Sequence, residues 1–267
     1  MGKRTHAEME GKESANSSPS PFMSMFERFR AELDEHHDRR ERIIKASRDI
    51  TAASKKIIFT LQRIRKLNEP LPQHVTKGNK QYYDTISTQF ASVCKDLQGL
   101  NADRYARQIS GGCQEWMEAL SFEHYLTTST LISYKDAASE LLSLGSEGSG
   151  VGLSPEDYLL GIFDMTGELM RFAITAMATN GALPSSSHDA EEERNVLNDL
   201  RAMRAALESL NAGTGPFAKD VDKKMEVMRA SVEKVERSLY GLVVRGAERP
   251  KGWMPDADGG RAIGVES

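Results

Sequence analysis

The feature that most constrains the fold is a run of apolar residues near the end of the chain, spaced alternately by four and three. The members of this seam are Val221, Met225, Met228, Val232, Val235, Leu239 and Leu242. On an α-helix this spacing places them all on one face, which must be buried against another element. A second seam recurs every seven residues, at Ile43, Ile50, Ile57 and Ile64. Because no segment alternates apolar and polar residues as a strand would, the sequence predicts an all-α fold, a long antiparallel helical bundle.

Turn and capping residues divide the chain into about seven predicted helices. The first begins near residue 22 and ends near residue 67, before the breaker Asn68–Pro72. Another begins at Ser154, because this capping serine precedes a proline and two acids, and it ends near Asn180. The remaining predicted helices cover residues 75–98, 102–127, 133–144, 188–210 and 216–245. The composition predicts a disordered tail at 1–20, one helical domain at 21–246 and a flexible tail at 247–267.

Cysteine content and hydropathy restrict the compartment. The two cysteines, Cys94 and Cys113, are too few for a disulfide framework and favour a reducing compartment. No apolar run approaches the roughly 18 residues of a membrane span. The first twenty residues also lack the apolar centre of a signal peptide. These observations predict a soluble intracellular protein with no membrane partner.

The charge distribution is uneven along the chain. The net charge of −4 argues against a free-standing nucleic-acid binder, because phosphate neutralisation needs clustered cations. Between Asp38 and Lys66, however, ten Lys/Arg face three Asp/Glu. On a helix, one arc opposite the isoleucine seam carries Lys45, Arg48, Lys55, Lys56, Arg63 and Lys66. This basic arc is either an ordinary solvated helix face or a surface that follows a phosphate backbone.

Two pairs of acids stand out because of their spacing. Asp164 and Glu168 are four apart in an otherwise apolar helix, with Arg171 on the same stripe. Glu115 and Glu118 are three apart on another predicted helix. Unpaired carboxylates in apolar surroundings are costly, so each pair requires a cation or a proton. If the helices were neighbours, the pairs would form an all-oxygen pocket suited to Mg²⁺, whereas structural ion pairs are the simpler interpretation.

Such a pocket leads to a prediction about pH. Four close carboxylates without metal repel one another, so at least one should bind a proton more readily. One or two divalent ions in the pocket could polarise a phosphate and lower the pKa of bound water. We therefore expect phosphodiester cleavage that rises from mildly acidic to neutral pH and disappears with a chelator. The neighbouring Arg171 either binds a substrate phosphate or pairs internally with one of the acids.

Several separate blocks of this sequence resemble the translin family, in particular its translin-associated factor X branch. These blocks are Phe29–Thr51, Gln114–Tyr125, Asp157–Arg171 and Asn211–Lys251, and they occur in the order found in the family. The resemblance covers most of residues 22–252. The connecting loops and both tails depart from the family pattern.

The resemblance implies a helical subunit that assembles with translin into a closed hetero-oligomer, an octameric barrel, in the cytoplasm and nucleus. It implies a Mg²⁺-dependent endoribonuclease, with Mn²⁺ as a substitute, that acts on single-stranded or nicked RNA. Passenger strands of small interfering RNA and tRNA-processing fragments are the family's substrates. The family's catalytic and metal-binding carboxylates correspond to Glu115, Glu118, Asp164 and Glu168. Translin itself lacks the full acidic set, so the catalytic role is expected in this chain.

Alternative functions use the same residues differently. A non-catalytic scaffold would bind RNA or DNA through the basic arc while the acids pair internally. A purely structural partner for other long-helix proteins would need only the two apolar seams. A di-iron bundle is excluded, because it requires Glu-x-x-His repeats and the chain has none. For RNA binding, in the nuclease as well as in the scaffold, the candidate contact residues are Arg48, Lys55, Lys56 and Arg171.

Overall fold

The computed structural model describes residues 20–145, 150–185 and 194–245. In this part of the chain the structure consists of seven α-helices. They are α1 (Met23–Leu61), α2 (Gln73–Val93), α3 (Leu100–Thr128), α4 (Tyr134–Ser143), α5 (Pro155–Asn180), α6 (Val196–Glu208) and α7 (Pro216–Arg245). The same residues form no strand, only an isolated antiparallel bridge between Ser185 and Asn195. The predicted all-α fold is confirmed.

Backbone contacts divide the chain into two compact units, Met1–Arg42 and Ile43–Ser267, with the boundary inside α1. The described part of the first unit is residues 20–42, where α1 begins. An exposed apolar stripe runs along it, made of Phe22, Phe26, Phe29 and Leu33. The rings of Phe26 and Phe29 pack edge to face, with their centroids 6.3 Å apart. This pair stabilises the stripe locally, by about 0.5–1.5 kcal/mol beyond burial.

The core of the second unit is built on the two predicted seams. Ile43, Ile50 and Ile57 on α1 have no exposed surface. The α7 seam is buried at Val221, Met228, Val232 and Val235 and partly buried at Met225, Leu239 and Leu242. Each fully buried aliphatic side chain contributes about 1.5–3 kcal/mol relative to exposure. The prediction that both seams are core is confirmed.

Two glycines allow α3 to approach its neighbours closely. A Cβ at Gly112 would lie 3.1 Å from the Cα of Ser47, so α1 and α3 meet backbone to backbone there. The Gly112 amide also donates to Ser47 Oγ at 3.0 Å. A Cβ at Gly161 would lie 2.7 Å from Cβ of Met117, so α5 packs directly on α3. Met117 is the immediate neighbour of Glu118, and Gly161 lies about one turn before Asp164. This packing therefore brings the two acid-bearing segments side by side.

Three helix boundaries differ from the prediction. Helix α2 ends at Val93 rather than at residue 98. Helix α1 ends at Leu61 rather than near residue 67, because the next amides, Arg63 and Ile64, donate to carbonyls three residues back. Such a tightened turn is a common helix end, and it lets Ile64 remain buried while the chain changes direction. Helix α6 begins at Val196, where Asn195 caps it by accepting from the Asn198 amide at 3.0 Å. The predicted start near residue 188 lies outside the described residues.

Other predictions concern the thiols, membrane crossing and the tails. Cys94 and Cys113 are buried thiols that are not joined in a disulfide, as small core residues are. None of the described helices combines the length and apolarity needed to cross a membrane. The predicted tails 1–20 and 247–267 lie outside the described residues, apart from Ser20, so their structure and the domain boundaries stay predictions.

Candidate acidic site

Four acids form the candidate site, two on α3 and two on α5. Glu118 is 8% exposed and Glu168 is 6% exposed, whereas Glu115 and Asp164 are more accessible. The packing at Gly161 places the two pairs close together. Their proximity is evident at Glu118, whose pKa is raised by burial and by repulsion from Asp164, Glu115 and Glu168. The structure therefore brings together the four residues that the spacing singled out. We refer to them as the acidic site.

Glu118 has the most perturbed carboxyl group of the acidic site. Burial is the largest cause and raises its pKa, repulsion by the other three acids adds to this, and Lys224 opposes it. Together these effects raise the pKa of Glu118 to about 8. Repulsion was expected from the sequence, but desolvation could not be read from it. At neutral pH the metal-free site holds a proton on Glu118.

Glu115 lies at the more open end of the site. Burial raises its pKa, the charge of Lys55 lowers it, and Asp164 and Glu168 raise it again. The ammonium of Lys55 lies 3.6 Å from Glu115 Oε2, and its side chain is 64% exposed. A pair this long and this exposed to water contributes at most about 1 kcal/mol to stability. Lys55 is thus a loosely held cation at the edge of the acidic site.

Asp164 is bound more firmly, by a lysine that the sequence did not single out. Lys224 on α7 donates to both carboxylate oxygens, with Nζ 2.5 Å from Oδ1. A signal was present, since Lys224 follows Val221 by three residues and therefore flanks the α7 seam. Lys224 supplies the acidic site with an internal positive charge.

Glu168 is held in a fixed orientation from two sides. The Gln62 side-chain amide donates to Glu168 Oε2 at 2.7 Å and to the Glu168 main-chain oxygen at 2.9 Å. Arg171 Nη2 lies 3.2 Å from Glu168 Oε1, and the arginine side chain is 66% exposed. The internal ion pair considered for Arg171 is therefore present. The phosphate-binding role of Arg171 stays a prediction.

The acidic site fits a hard divalent cation in its chemistry. Its donors are carboxylate oxygens, which Mg²⁺ prefers, and burial together with repulsion by the other three acids disfavours the ionised form of Glu118 in the absence of a cation. In the conformation observed, no three His, Cys, Asp or Glu side chains within residues 20–145, 150–185 and 194–245 are arranged to hold a metal ion. Carboxylates would have to turn from their present partners to do so. Metal binding by these four acids stays a prediction.

The basic arc is exposed, and several of its side chains have partners within the chain. Lys56 lies over the ring of Tyr82, 5.3 Å from the centroid, and Lys66 pairs with Glu69 at 3.0 Å. The guanidinium of Arg63 lies over the ring of Phe59, 4.8 Å from the centroid. These interactions are typical of an exposed surface and leave the RNA-binding role of Arg48, Lys55 and Lys56 a prediction.

Comparison with known proteins identifies relatives along most of the chain. The translin family model matches residues 38–246. Translin-associated protein X from Rattus norvegicus is 34% identical over 266 residues, which cover 92% of this chain and 86% of that protein. The homolog from Schizosaccharomyces pombe is 31% identical over 222 residues, covering 83% and 88%. Translin from Homo sapiens is 23% identical over 217 residues, covering 80% and 89%.

A solved structure supports the same assignment at the level of fold. The chain is similar to the crystal structure of apo-NeC3PO, with a TM-score of 0.56 and 16% sequence identity. The match covers 83% of this chain and 99% of that one. The sequence identity is higher to translin-associated protein X than to translin, which agrees with the branch that the sequence blocks resemble. With a family model over residues 38–246 and a relative 34% identical over most of its length, the chain belongs to the translin family.

Proposed function

We propose that the chain is a divalent-metal-dependent endoribonuclease subunit that cuts single-stranded or nicked RNA in a hetero-oligomer with translin. The observation that supports this most is the meeting of two acid pairs on α3 and α5, with the pKa of Glu118 raised to about 8. Membership of the translin family supports translin as the proposed partner. Passenger strands of small interfering RNA and tRNA-processing fragments are the proposed substrates, an octameric barrel the proposed assembly, and cytoplasm and nucleus the proposed locations.

The residues proposed to hold the cation are Glu118 and Asp164, assisted by Glu115 and Glu168. When bound, Mg²⁺ or Mn²⁺ would polarise the scissile phosphate and lower the pKa of a water molecule. Glu118 and Asp164 lie on different helices, so the packing of α5 on α3 sets their separation. Residues that hold this packing, such as Gly161, are therefore as important for the site as its ligands.

The chain's own residues orient the carboxylates and balance their charge. Gln62 fixes Glu168 through two hydrogen bonds, an orienting interaction of the kind that tunes metal ligands. Lys224 neutralises Asp164 in the metal-free protein. We propose that Lys224 partly releases Asp164 when the site is loaded and is then available to a phosphate oxygen, since a cation competes for the same carboxylate.

Protonation of Glu118 links this function to pH. A carboxyl group with a pKa of about 8 carries a proton at neutral pH, and a metal ligand must be deprotonated. Cation binding should therefore release a proton and become tighter as the pH rises toward 8. This direction agrees with the expected rise in cleavage from mildly acidic to neutral pH.

The test is co-expression with the organism's translin, followed by cleavage assays on single-stranded RNA with Mg²⁺ and with chelator. Glu118→Gln and Asp164→Asn are expected to bind RNA normally and fail to cut it. Glu156→Gln, an exposed acid at the start of α5, is the matched control and should cut as the wild type does. Cleavage that persists in chelator and survives Asp164→Asn would contradict the proposal.

A second candidate function is a non-catalytic RNA-binding scaffold. The observation that favours it is that Lys224, Arg171 and Lys55 each pair with one acid of the site, so these carboxylates have internal partners. A purified complex that binds RNA and leaves it intact in Mg²⁺ would support the scaffold. The reason for preferring the nuclease is the raised pKa of Glu118, the one acid of the site with which none of these three cations pairs.

A further inference from the structure

Phe59 is a large apolar residue on the solvent side of α1. It is 63% exposed, while its neighbours Ile57 and Ile58 are buried. Exposed phenylalanine contributes little to stability, because its ring gains only when it leaves water. An exposed aromatic ring offers a flat face on which a planar group of a ligand can stack.

The position of Phe59 relates it to the acidic site. Lys55, Phe59 and Gln62 are spaced by four and three residues, so they share one face of α1. The helical hydrogen bonding continues through this segment, because the Gln62 main-chain amide donates to the Ile58 carbonyl at 2.9 Å. On either side of Phe59 along this face, Lys55 pairs with Glu115 and Gln62 binds Glu168. Phe59 therefore lies at the rim of the acidic site.

Arg63 completes the local arrangement. Its guanidinium carbon lies 4.8 Å from the centroid of the Phe59 ring, a cation–π distance. A flat ring next to a flat cation offers two surfaces on which a base can stack, and the cation also attracts phosphate. Proteins bind unpaired nucleic acid with this combination, because every base has a π-face that stacks without sequence preference.

We propose that Phe59 and Arg63 form a stacking site for one unpaired nucleobase next to the phosphate that reaches the acidic site. This inference rests on the proposed function, since it takes RNA as the ligand. The site accepts any of the four bases, and it requires that the base be free of its own stacking partners. It therefore discriminates against intact duplex at the acidic site and tolerates single-stranded or nicked RNA.

The first experiment measures binding without cleavage. The complex with translin, carrying Glu118→Gln, is titrated into a fluorescent single-stranded oligoribonucleotide. Adding Phe59→Ala is expected to weaken binding by about tenfold, the usual loss for one stacked base. Adding Phe59→Trp should retain binding, and RNA should quench the fluorescence of the introduced indole. Leu100→Ala, an apolar residue 85% exposed at the start of α3, is the matched control and should change nothing.

The second experiment separates stacking from other roles of Phe59. Oligoribonucleotides with a single abasic position, moved one nucleotide at a time, should show one position that weakens binding in the parent. In the Phe59→Ala variant that same position should have no further effect, because the stacking partner is already gone. The slope of log affinity against log salt concentration should be unchanged by Phe59→Ala and reduced by Arg63→Gln.

Three results would overturn the stacking site: wild-type affinity in Phe59→Ala, equal abasic effects in both proteins, or failure of Phe59→Ala to assemble with translin. The last would place Phe59 in a subunit interface. Because binding is measured without cleavage, the outcome is independent of the nuclease proposal. If the wild-type complex never cut RNA but Phe59→Ala still weakened binding, the stacking site would be retained and the proposed activity excluded.

Discussion

The acidic site between α3 and α5 and the ion-pair cluster between α6 and α7 are built from the same carboxylate chemistry, with opposite results. In the exposed cluster, hydrogen bonds from Arg229 and Arg204 hold the pKa of Glu208 below its usual range. Their nitrogens lie 2.7 and 3.0 Å from Glu208 Oε1. In the acidic site, burial and neighbouring acids raise the pKa of Glu118 to about 8. Cations of the chain pair with Glu208, whereas other acids surround Glu118.

This difference separates charge used for structure from charge available for chemistry. Glu208 accepts hydrogen bonds from two arginines and stays in contact with water, so its ionised form is favoured and needs no further cation. Glu118 is buried among three acids, so its ionised form is disfavoured, and a bound cation would stabilise it. The acidic site and the ion-pair cluster therefore differ in how their charges are balanced, rather than in the number of their charged residues.

The largest expected difference between the two regions is in RNA cleavage. Glu118→Gln should reduce cleavage by the complex with translin at least about a hundredfold, since even groups that only support metal ligands cost 10–100-fold. Glu208→Gln should leave the rate unchanged. Rates are measured under single-turnover conditions with saturating Mg²⁺. Equal reductions in the two variants would mean that the acidic site has no special role.

The next effect concerns metal-free stability as a function of pH. A carboxyl group whose folded pKa is raised stabilises the protein fully below its unfolded pKa and loses this contribution as the pH rises through the folded value. For Glu118 the decline should extend from about pH 4.5 to about pH 8, and reach about 2–4 kcal/mol. Urea unfolding across this range should show the decline in the wild type and a flatter profile in Glu118→Gln.

Glu208 provides the opposite case in the same experiment. Its folded pKa is lowered, so its contribution is present above the unfolded pKa and disappears as the pH falls through the folded value. Glu208→Gln should therefore change the profile only on the acid side. A Glu208→Gln protein that also lacked the decline between about pH 4.5 and pH 8 would contradict the assignment of that decline to Glu118.

Lys224→Met tests the internal cation of the acidic site. Removing the ammonium leaves Asp164 without its bidentate partner, so metal-free stability should fall by about 1–2 kcal/mol, less than for a fully buried pair. Removal of a nearby positive charge should also tighten Mn²⁺ binding, measured by calorimetry. Arg229→Met, which removes one of two partners of Glu208, is the control and should leave Mn²⁺ binding unaltered. Weaker Mn²⁺ binding in Lys224→Met would show that the lysine holds Asp164 in place for the metal.

Much of the fold was predictable because its signals are local. The seams at Ile43–Ile64 and Val221–Leu242 are patterns within single helices, and they indicated the all-α fold and its core. The acid pairs were found for the same reason, since spacings of three and four place residues on one face. Glycines at 112 and 161 were visible as residues, but which backbone each one meets follows from packing.

The interactions of Lys224 and Gln62 could not have been predicted from the sequence. Lys224 meets Asp164 across 60 residues, and Gln62 meets Glu168 across 106. Each depends on the register between two packed helices, which periodicity does not determine. The end of α1 at Leu61 was missed because the pattern of isoleucines continues to Ile64 after the helical hydrogen bonds have changed.

The smallest effects are expected on the basic arc. Charge reversal at Arg48 and Lys55 should weaken RNA binding and reduce the slope of log affinity against log salt by about 1 for each phosphate that is no longer neutralised. Stability should change by no more than about 0.5 kcal/mol, because these side chains are exposed. An unchanged salt slope would make this arc an ordinary solvated helix face.

We propose above all that the acidic site binds a divalent cation, which takes the place of the proton on Glu118. Titration of Mn²⁺ into the metal-free complex with translin, followed by electron paramagnetic resonance at about pH 8, where Glu118 is about half ionised, tests it most directly. We expect binding by the wild type and by Glu208→Gln, and no such binding by Glu118→Gln. Identical Mn²⁺ binding by all three proteins, or binding by none, would contradict the claim.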